Sequence, residues 1–232
     1  MFFRHSSAMW QQFPQLVPGV LLAEAIDAEA DVQGLIEPLH ARARERLAAG
    51  PESELAEIGA WRRAFTQMGL KPTQYRCAAE ALLRRFRREG ALPGLHPLVD
   101  FSNALSLAFA VPVAVFDLDA VDSSLEVRHA DGGEEHWGFG GEVEHPEPGE
   151  VIFADAANHA HARRWTFRQS RKSTVGPETR RVLIVAEGLH ATAGTDVPAL
   201  LDALGNGIAS RWSAPRRAAV LTAATPQIEL PS

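Results

Sequence analysis

Residues His96 to Asp119 read HPLVDFSNALSLAFAVPVAVFDLD. Leu98, Phe101, Leu105 and Phe109 recur at helical spacing and would face a core. Pro112 then breaks the helix, and Val113–Phe116 reads as a short strand running into Asp117 and Asp119. The other side of the helix carries Ser102, Asn103 and Ser106. Asn and Ser are mediocre helix formers, so propensity does not account for three of them together. Either they touch water and cap neighbours, or they form one wall of a polar pocket.

The chain differs on the two sides of this stretch. Before it, Leu16–Ile26 reads as a strand and Ala28–Ala49 as an Ala-rich, charged helix ended by Gly50 and Pro51. Glu52–Met68 reads as a second helix stopped by Gly69, and Gln74–Arg88 as a third. In the third, Tyr75, Ala78, Ala79, Leu82, Leu83 and Phe86 form an apolar stripe, with Arg76, Glu80, Arg84 and Arg87 opposite. After the central stretch come short strand candidates, Leu125–His129, Val151–Ala154, Arg164–Arg168 and Val182–Ala186. Turn signals separate them at Asp131 to Gly133, Gly138 to Gly141 and Pro146 to Gly149. Helices first and strands later predict an α+β fold rather than alternating α/β. The expected layout is a single domain over residues 1–192 and a C-terminal extension over 193–232. The extension holds a short helix at Val197–Leu204 and, from Gly205, an Ala-, Pro-, Gly- and Ser-rich segment expected to be partly flexible.

The chain has 232 residues, 46% apolar and 22% charged, enough for a sizeable core. No apolar run reaches membrane-spanning length, and MFFRHSSAMW lacks a signal-peptide apolar region. The single cysteine, Cys77, leaves no internal disulfide, which fits a reducing cytoplasm. A net charge of −6 argues against a general nucleic-acid coat. Basic residues nevertheless concentrate in two islands, Trp61 to Gly90 and Arg163 to Arg181. Such islands on an acidic protein either meet a localised anionic partner or form solvated, salt-bridged faces.

Several motifs in order carry a family resemblance. Val99 to Asn103 (VDFSN), Pro112 and Phe116 to Asp119 (FDLD) resemble the editing region of the bacterial phenylalanyl-tRNA synthetase beta subunit. That region is its third and fourth domains, the B-three/four tRNA-binding domain. Trp61-Arg62, Met68 to Thr73, Arg76, Glu80, Leu82, Arg85, Gly149-Glu150, Ala154-Asp155, Arg164 to Arg168 and Thr179 extend the resemblance over residues 15–190. It implies a mixed β-sheet core flanked by helices. It also implies a free-standing cytoplasmic aminoacyl-tRNA deacylase acting in trans on the acceptor end of mischarged tRNA, without metal or cofactor. The alternative is a non-catalytic module that binds tRNA or an amino acid.

Within that resemblance Ser102 and Asn103 would position the ester and the attacking water. Ser106, Ala114, Asp155, His159, His161, Trp165 and Glu187 would shape the substrate pocket, and Arg84, Arg87, Arg164 and Arg168 would hold RNA. An aminoacyl ester is activated already, so its hydrolysis needs a positioned water and an oxyanion partner rather than a strong nucleophile. Two positions depart from the family pattern. Ala114 stands where a histidine is expected, and the nearest acid in the last strand, Glu187, is offset from its expected place near Val185.

Other chemistries find less support. There is no phosphate-cradling Gly-rich loop, no GxSxG and no HExxH. Gly138 to Gly141 (GFGG) opens no helix and reads as a hairpin turn. Cys77 lies on the apolar side of its helix, as a buried structural thiol would. His159 and His161 have a His-x-His spacing that metals use, but no further ligand follows, so a pocket rim from Asp155 to Trp165 is the preferred reading.

Overall fold

Pro97 opens the central helix at its first position, where a missing N–H costs nothing. His96 caps it, its Nδ1 accepting the Leu98 N–H at 3.2 Å. The helix ends at Ala110 in the left-handed region (φ 53°), and Ser106 Oγ donates to the Val111 carbonyl at 2.7 Å, pinning the turn into the next strand.

Around this unit the computed structural model describes residues 1–231. The chain starts with β1 (Phe2–His5), α1 (Ser7–Gln12) and β2 (Val17–Glu24), then α2 (Gln33–Ala49), α3 (Ala56–Gln67) and α4 (Ala78–Glu89). The central helix is α5 (Pro97–Phe109) and its strand β3 (Val113–Asp117). There follow β4 (Ser124–His129), β5 (His136–Trp137), β6 (Val143–Glu144), β7 (Val151–Asp155), β8 (Ala160–Arg163), β9 (Arg168–Gln169) and β10 (Arg181–Gly188). Helix α6 (Ala193–Arg211) and strands β11 (Arg217–Val220) and β12 (Gln227–Glu229) complete the chain.

The result is an α+β fold. A six-stranded mixed sheet has the order β12-β1-β4-β7-β8-β9, with β1 and β4 parallel. A four-stranded antiparallel sheet has the order β11-β2-β10-β3, and β5–β6 form a separate hairpin. Alternation along β10 explains the layering. Leu183 and Val185 enter a core shared by both sheets and α1, α3 and α4, whereas Val182, Ile184 and Ala186 pack on α5 and α6. Phe116 of β3 and Phe153 of β7 meet between the sheets, ring centroids 5.2 Å apart.

Several sequence expectations change: the first helix begins at Gln33 rather than Ala28, and the short helix expected at Val197–Leu204 is the longer α6. The second helix begins at Ala56, preceded by a single tight turn at Glu52–Glu54. The third begins at Ala78, so Tyr75 and Arg76 precede it. Arg164–Arg168 is mostly a turn between β8 and β9, not a strand, because Arg164 and Trp165 adopt left-handed backbone (φ 48° and 60°). The segment from Gly205 is built into the fold: α6 packs on β2 and β10, β11 pairs with β2, and β12 pairs with β1. β11 is mostly exposed, so it carries no hydrophobic alternation that would announce a strand. No helix among the described residues is long and apolar enough to cross a membrane.

Candidate functional site

A cavity of about 80 Å³ opens between the sheets. Ala114 and Phe116 of β3, Phe153 of β7, Ala162 of β8 and Val185 and Glu187 of β10 line it, and the turn from Trp165 to Gln169 forms its mouth. Val185 and Glu187 are two apart on one strand and therefore share a face. The offset of the acid from its expected place thus keeps the carboxylate in the same cavity.

Glu187 is the polar centre of this apolar space, and it is 2% exposed. Its Oε1 takes both fixed contacts: Trp165 Nε1–H donates at 2.9 Å, and His5 Nε2 lies at 2.7 Å. Its Oε2 has no hydrogen-bond partner among the described residues. A carboxylate anchored through one oxygen, with the other free, is arranged to receive a donor from a ligand.

The turn that brings Trp165 here is strained and tightly held. Left-handed backbone at a bulky non-glycine residue costs on the order of 1–3 kcal/mol, and packing must supply it. Trp165 is fully buried, with its ring 4.8 Å from both Phe13 and Trp61, and its backbone N–H donates to the Val151 carbonyl at 2.7 Å. Beside it Thr166, also in the cavity lining, has a buried Oγ1 without a partner among the described residues. Gln169 is fixed, donating its amide to the Val115 carbonyl at 2.8 Å. Ala78, on the cavity wall, ties α4 to the turn through its N–H on the Thr166 carbonyl at 2.8 Å. Next to it burial pushes the Cys77 thiol up to about 12, far from a thiolate nucleophile.

Asp155, His159 and His161 form a neighbouring cluster with its own logic. His161 Nε2 lies 3.0 Å and His159 Nδ1 3.1 Å from Asp155 Oδ2, so both rings are turned onto the carboxylate. Burial alone would raise the Asp155 pKa. The hydrogen bonds from His161 and from the backbone N–H groups of His159 and Asp122 outweigh it and hold the carboxyl well below its usual range. His161 is fully buried and sits edge-on to Phe116, behind the cavity wall.

The structure separates the residues that the sequence grouped as one site. Ala114, Trp165, Glu187 and Arg168 meet at the cavity. Ser102 and Ser106 are buried inside the fold, on a helix packed by α2, α4, α6 and β3, and neither lines the cavity. Asn103 lines a different groove, with Asp100, His40 and Arg44. Burial raises the Asp100 pKa there, against the Leu95 N–H it accepts.

The basic residues are largely committed to partners. Arg84 and Arg87 both reach the buried Glu52, at 3.8 and 3.2 Å. Arg168 pairs with Glu142 and Glu144 at 2.8 and 2.9 Å, and Arg164 lies over the Tyr75 ring at 4.7 Å. Sequence reasoning did not select His5, Thr166 or Gln169. His5 lies 182 residues from Glu187 in sequence, in a four-residue strand, and nothing local marks such a pairing.

Compared with known families, the chain matches the B3/4 domain over residues 60–196. No curated protein matches it. Among solved structures it is similar to an N-terminal fragment of the phenylalanyl-tRNA synthetase beta-subunit from Pyrococcus horikoshii, with a TM-score of 0.48 and 11% identity. That match covers 90% of this chain and 48% of the fragment, so the chain spans about half the fragment's length.

Proposed function

The chain belongs to the B3/4 domain family, and on that premise we propose that its cavity receives the aminoacyl group of a mischarged tRNA and promotes hydrolysis of the ester. The observation that carries this reading is Glu187, with Oε1 fixed by His5 and Trp165 and Oε2 free at an apolar cavity. Oε2 takes the ammonium or a polar side-chain group of the bound amino acid. The walls of Phe116, Phe153, Ala162 and Val185 enclose its carbon skeleton. Thr166 Oγ1 holds the ester or the water at the mouth. The water oxygen adds to the ester carbonyl, the bond from the acyl carbon to the ribose oxygen breaks, and a proton passes to that oxygen. Such chemistry rests on positioning and oriented polar groups.

In this reading Ser106 acts behind the wall, holding the turn that carries Ala114. Ser102 and Asn103 lose the catalytic role that the family resemblance implied for them, since neither lines the cavity. The test is release of amino acids from a panel of mischarged tRNAs. Glu187→Gln keeps an acceptor for His5 and Trp165 but removes the negative charge. It is expected to lower the rate on the preferred tRNA about a hundredfold or more. Saturable binding without turnover on every tRNA would make the chain a binding module. Unchanged turnover in Glu187→Gln would remove the cavity from the chemistry.

A further inference from the structure

The hairpin β5–β6 turns an apolar patch outward. Trp137 and Val143 are cross-strand partners and share a face, and Phe139 stands at the tip. They are 43%, 47% and 64% exposed, and they account for three of the five large exposed apolar side chains among the described residues. The base of the patch is fixed. Ser170, itself buried, accepts the Trp137 N–H at 3.3 Å and donates to the Trp137 carbonyl at 3.2 Å. A large aromatic presented on a pinned backbone loses little freedom when it binds.

The hairpin is linked to the cavity through Arg168. A Cβ on Gly138 would lie 1.8 Å from Glu142 Oε1, so the Glu142 carboxylate lies across the glycine turn. Arg168 holds that carboxylate at 2.8 Å and lines the cavity itself. The nearby charge is also asymmetric. Glu142 and Glu144 are taken by Arg168 and Arg163. Arg171 and Lys172 have no acidic partner among the described residues, and Lys172 Nζ lies 5.8 Å from the centre of the Trp137 ring.

We propose that this hairpin is the stacking platform for the unpaired 3′ end of the RNA whose terminal ester enters the cavity. The proposal rests on the reading of the cavity as an aminoacyl site and names the surface that would deliver the substrate. Aromatic faces stack on any base, so Trp137 and Phe139 hold single-stranded nucleotides without reading sequence. Arg171 and Lys172 meet the phosphates between them. Shared Arg168 sets the platform beside the mouth, where the last nucleotide must lie.

The test is binding of two RNA hairpins, one with an unpaired 3′ end and one blunt, to the full chain and its variants. Trp137→Ala is expected to weaken binding of the overhang RNA by about fivefold to a hundredfold, from one lost base stack. Trp137→Phe should restore most of that affinity, and binding of the blunt RNA should not change. Trp137 is exposed, so thermal unfolding should be unaltered. Equal loss for both RNAs, an unchanged affinity in Trp137→Ala, or no RNA binding by the natural chain would each overturn the platform. So would a concentration-dependent dimer that Trp137→Ala abolishes while RNA affinity persists. Hydrolysis of a small aminoacyl ester that lacks RNA, measured on Glu187→Gln, judges the cavity independently of these outcomes.

Discussion

His5 Nε2 lies 2.7 Å from Glu187 Oε1, and the two side chains are 1% and 2% exposed. The first strand of the chain thereby orients a carboxylate of β10, an inner strand of the opposing sheet. His5 also lies outside the stretch that matches the B3/4 family.

This pairing makes His5 a positioning residue. His5→Ala should leave Glu187 Oε1 with Trp165 alone and let the carboxylate turn. The expected result is a KM for the preferred aminoacyl-tRNA raised several-fold, with a smaller fall in kcat. His5→Gln offers a donor at similar reach and should recover much of the loss. Unfolding is expected to cost about 1–3 kcal/mol for the unpaired buried group in His5→Ala. A stability loss with unchanged KM per folded molecule would make His5 purely structural.

Asp155 should dominate the acid limb of stability. Its folded carboxyl titrates below the unfolded value of about 3.9. Its stabilisation is therefore complete above that pH and fades as pH falls through the folded value. Asp155→Asn should lose roughly 2–5 kcal/mol at neutral pH, since several donors face the site. The gap between the two proteins should narrow only in strong acid. Denaturant unfolding at stepped pH reads this directly, and a gap already closed at pH 6 would show that the Asp155 carboxylate does not carry this stability.

Replacing Arg84 and Arg87 together by Ala isolates their structural role. Glu52 is 2% exposed and would be left buried without its cations. Both arginines are about half exposed, so solvent screens part of the effect, and the expected cost is about 1–3 kcal/mol. Loss of RNA affinity with full stability would return these residues to the RNA face.

Asn103→Ala and Leu105→Ala separate the groove from the core. Asn103 sits at an open groove away from the cavity, so its removal should change stability by about 0.5 kcal/mol or less and leave ester hydrolysis intact. Leu105 is fully buried among α5 and α6 contacts, and its truncation should cost roughly 2–5 kcal/mol. Hydrolysis abolished by Asn103→Ala in a folded protein would move the chemistry to the α5 groove.

The fold class and the central helix–turn–strand were legible because they rest on periodicity. Leu98, Phe101, Leu105 and Phe109 all pack where their spacing put them. The candidate site was legible in part. Trp165 and Glu187 reach one cavity, whereas Ser102 and Ser106 are buried away from it, and helical spacing alone does not tell a buried polar position from a pocket one. A helix reveals its apolar face in sequence but not what covers the other one. The Trp165 turn was hidden because its residues favour strand, and only tertiary packing sustains their left-handed backbone. The segment from Gly205 looked loose because short edge strands with mostly exposed side chains leave little pattern.

The glycine turn of the β5–β6 hairpin also bears on evolution. Space at Gly138 is what lets Glu142 lie across the turn and hold Arg168. A single methyl group there would evict the carboxylate and leave Arg168 to Glu144 alone. How many carboxylates hold Arg168 therefore depends on an atom that is missing from a loop. Drift at that one codon would alter the electrostatics beside the cavity without touching its apolar walls.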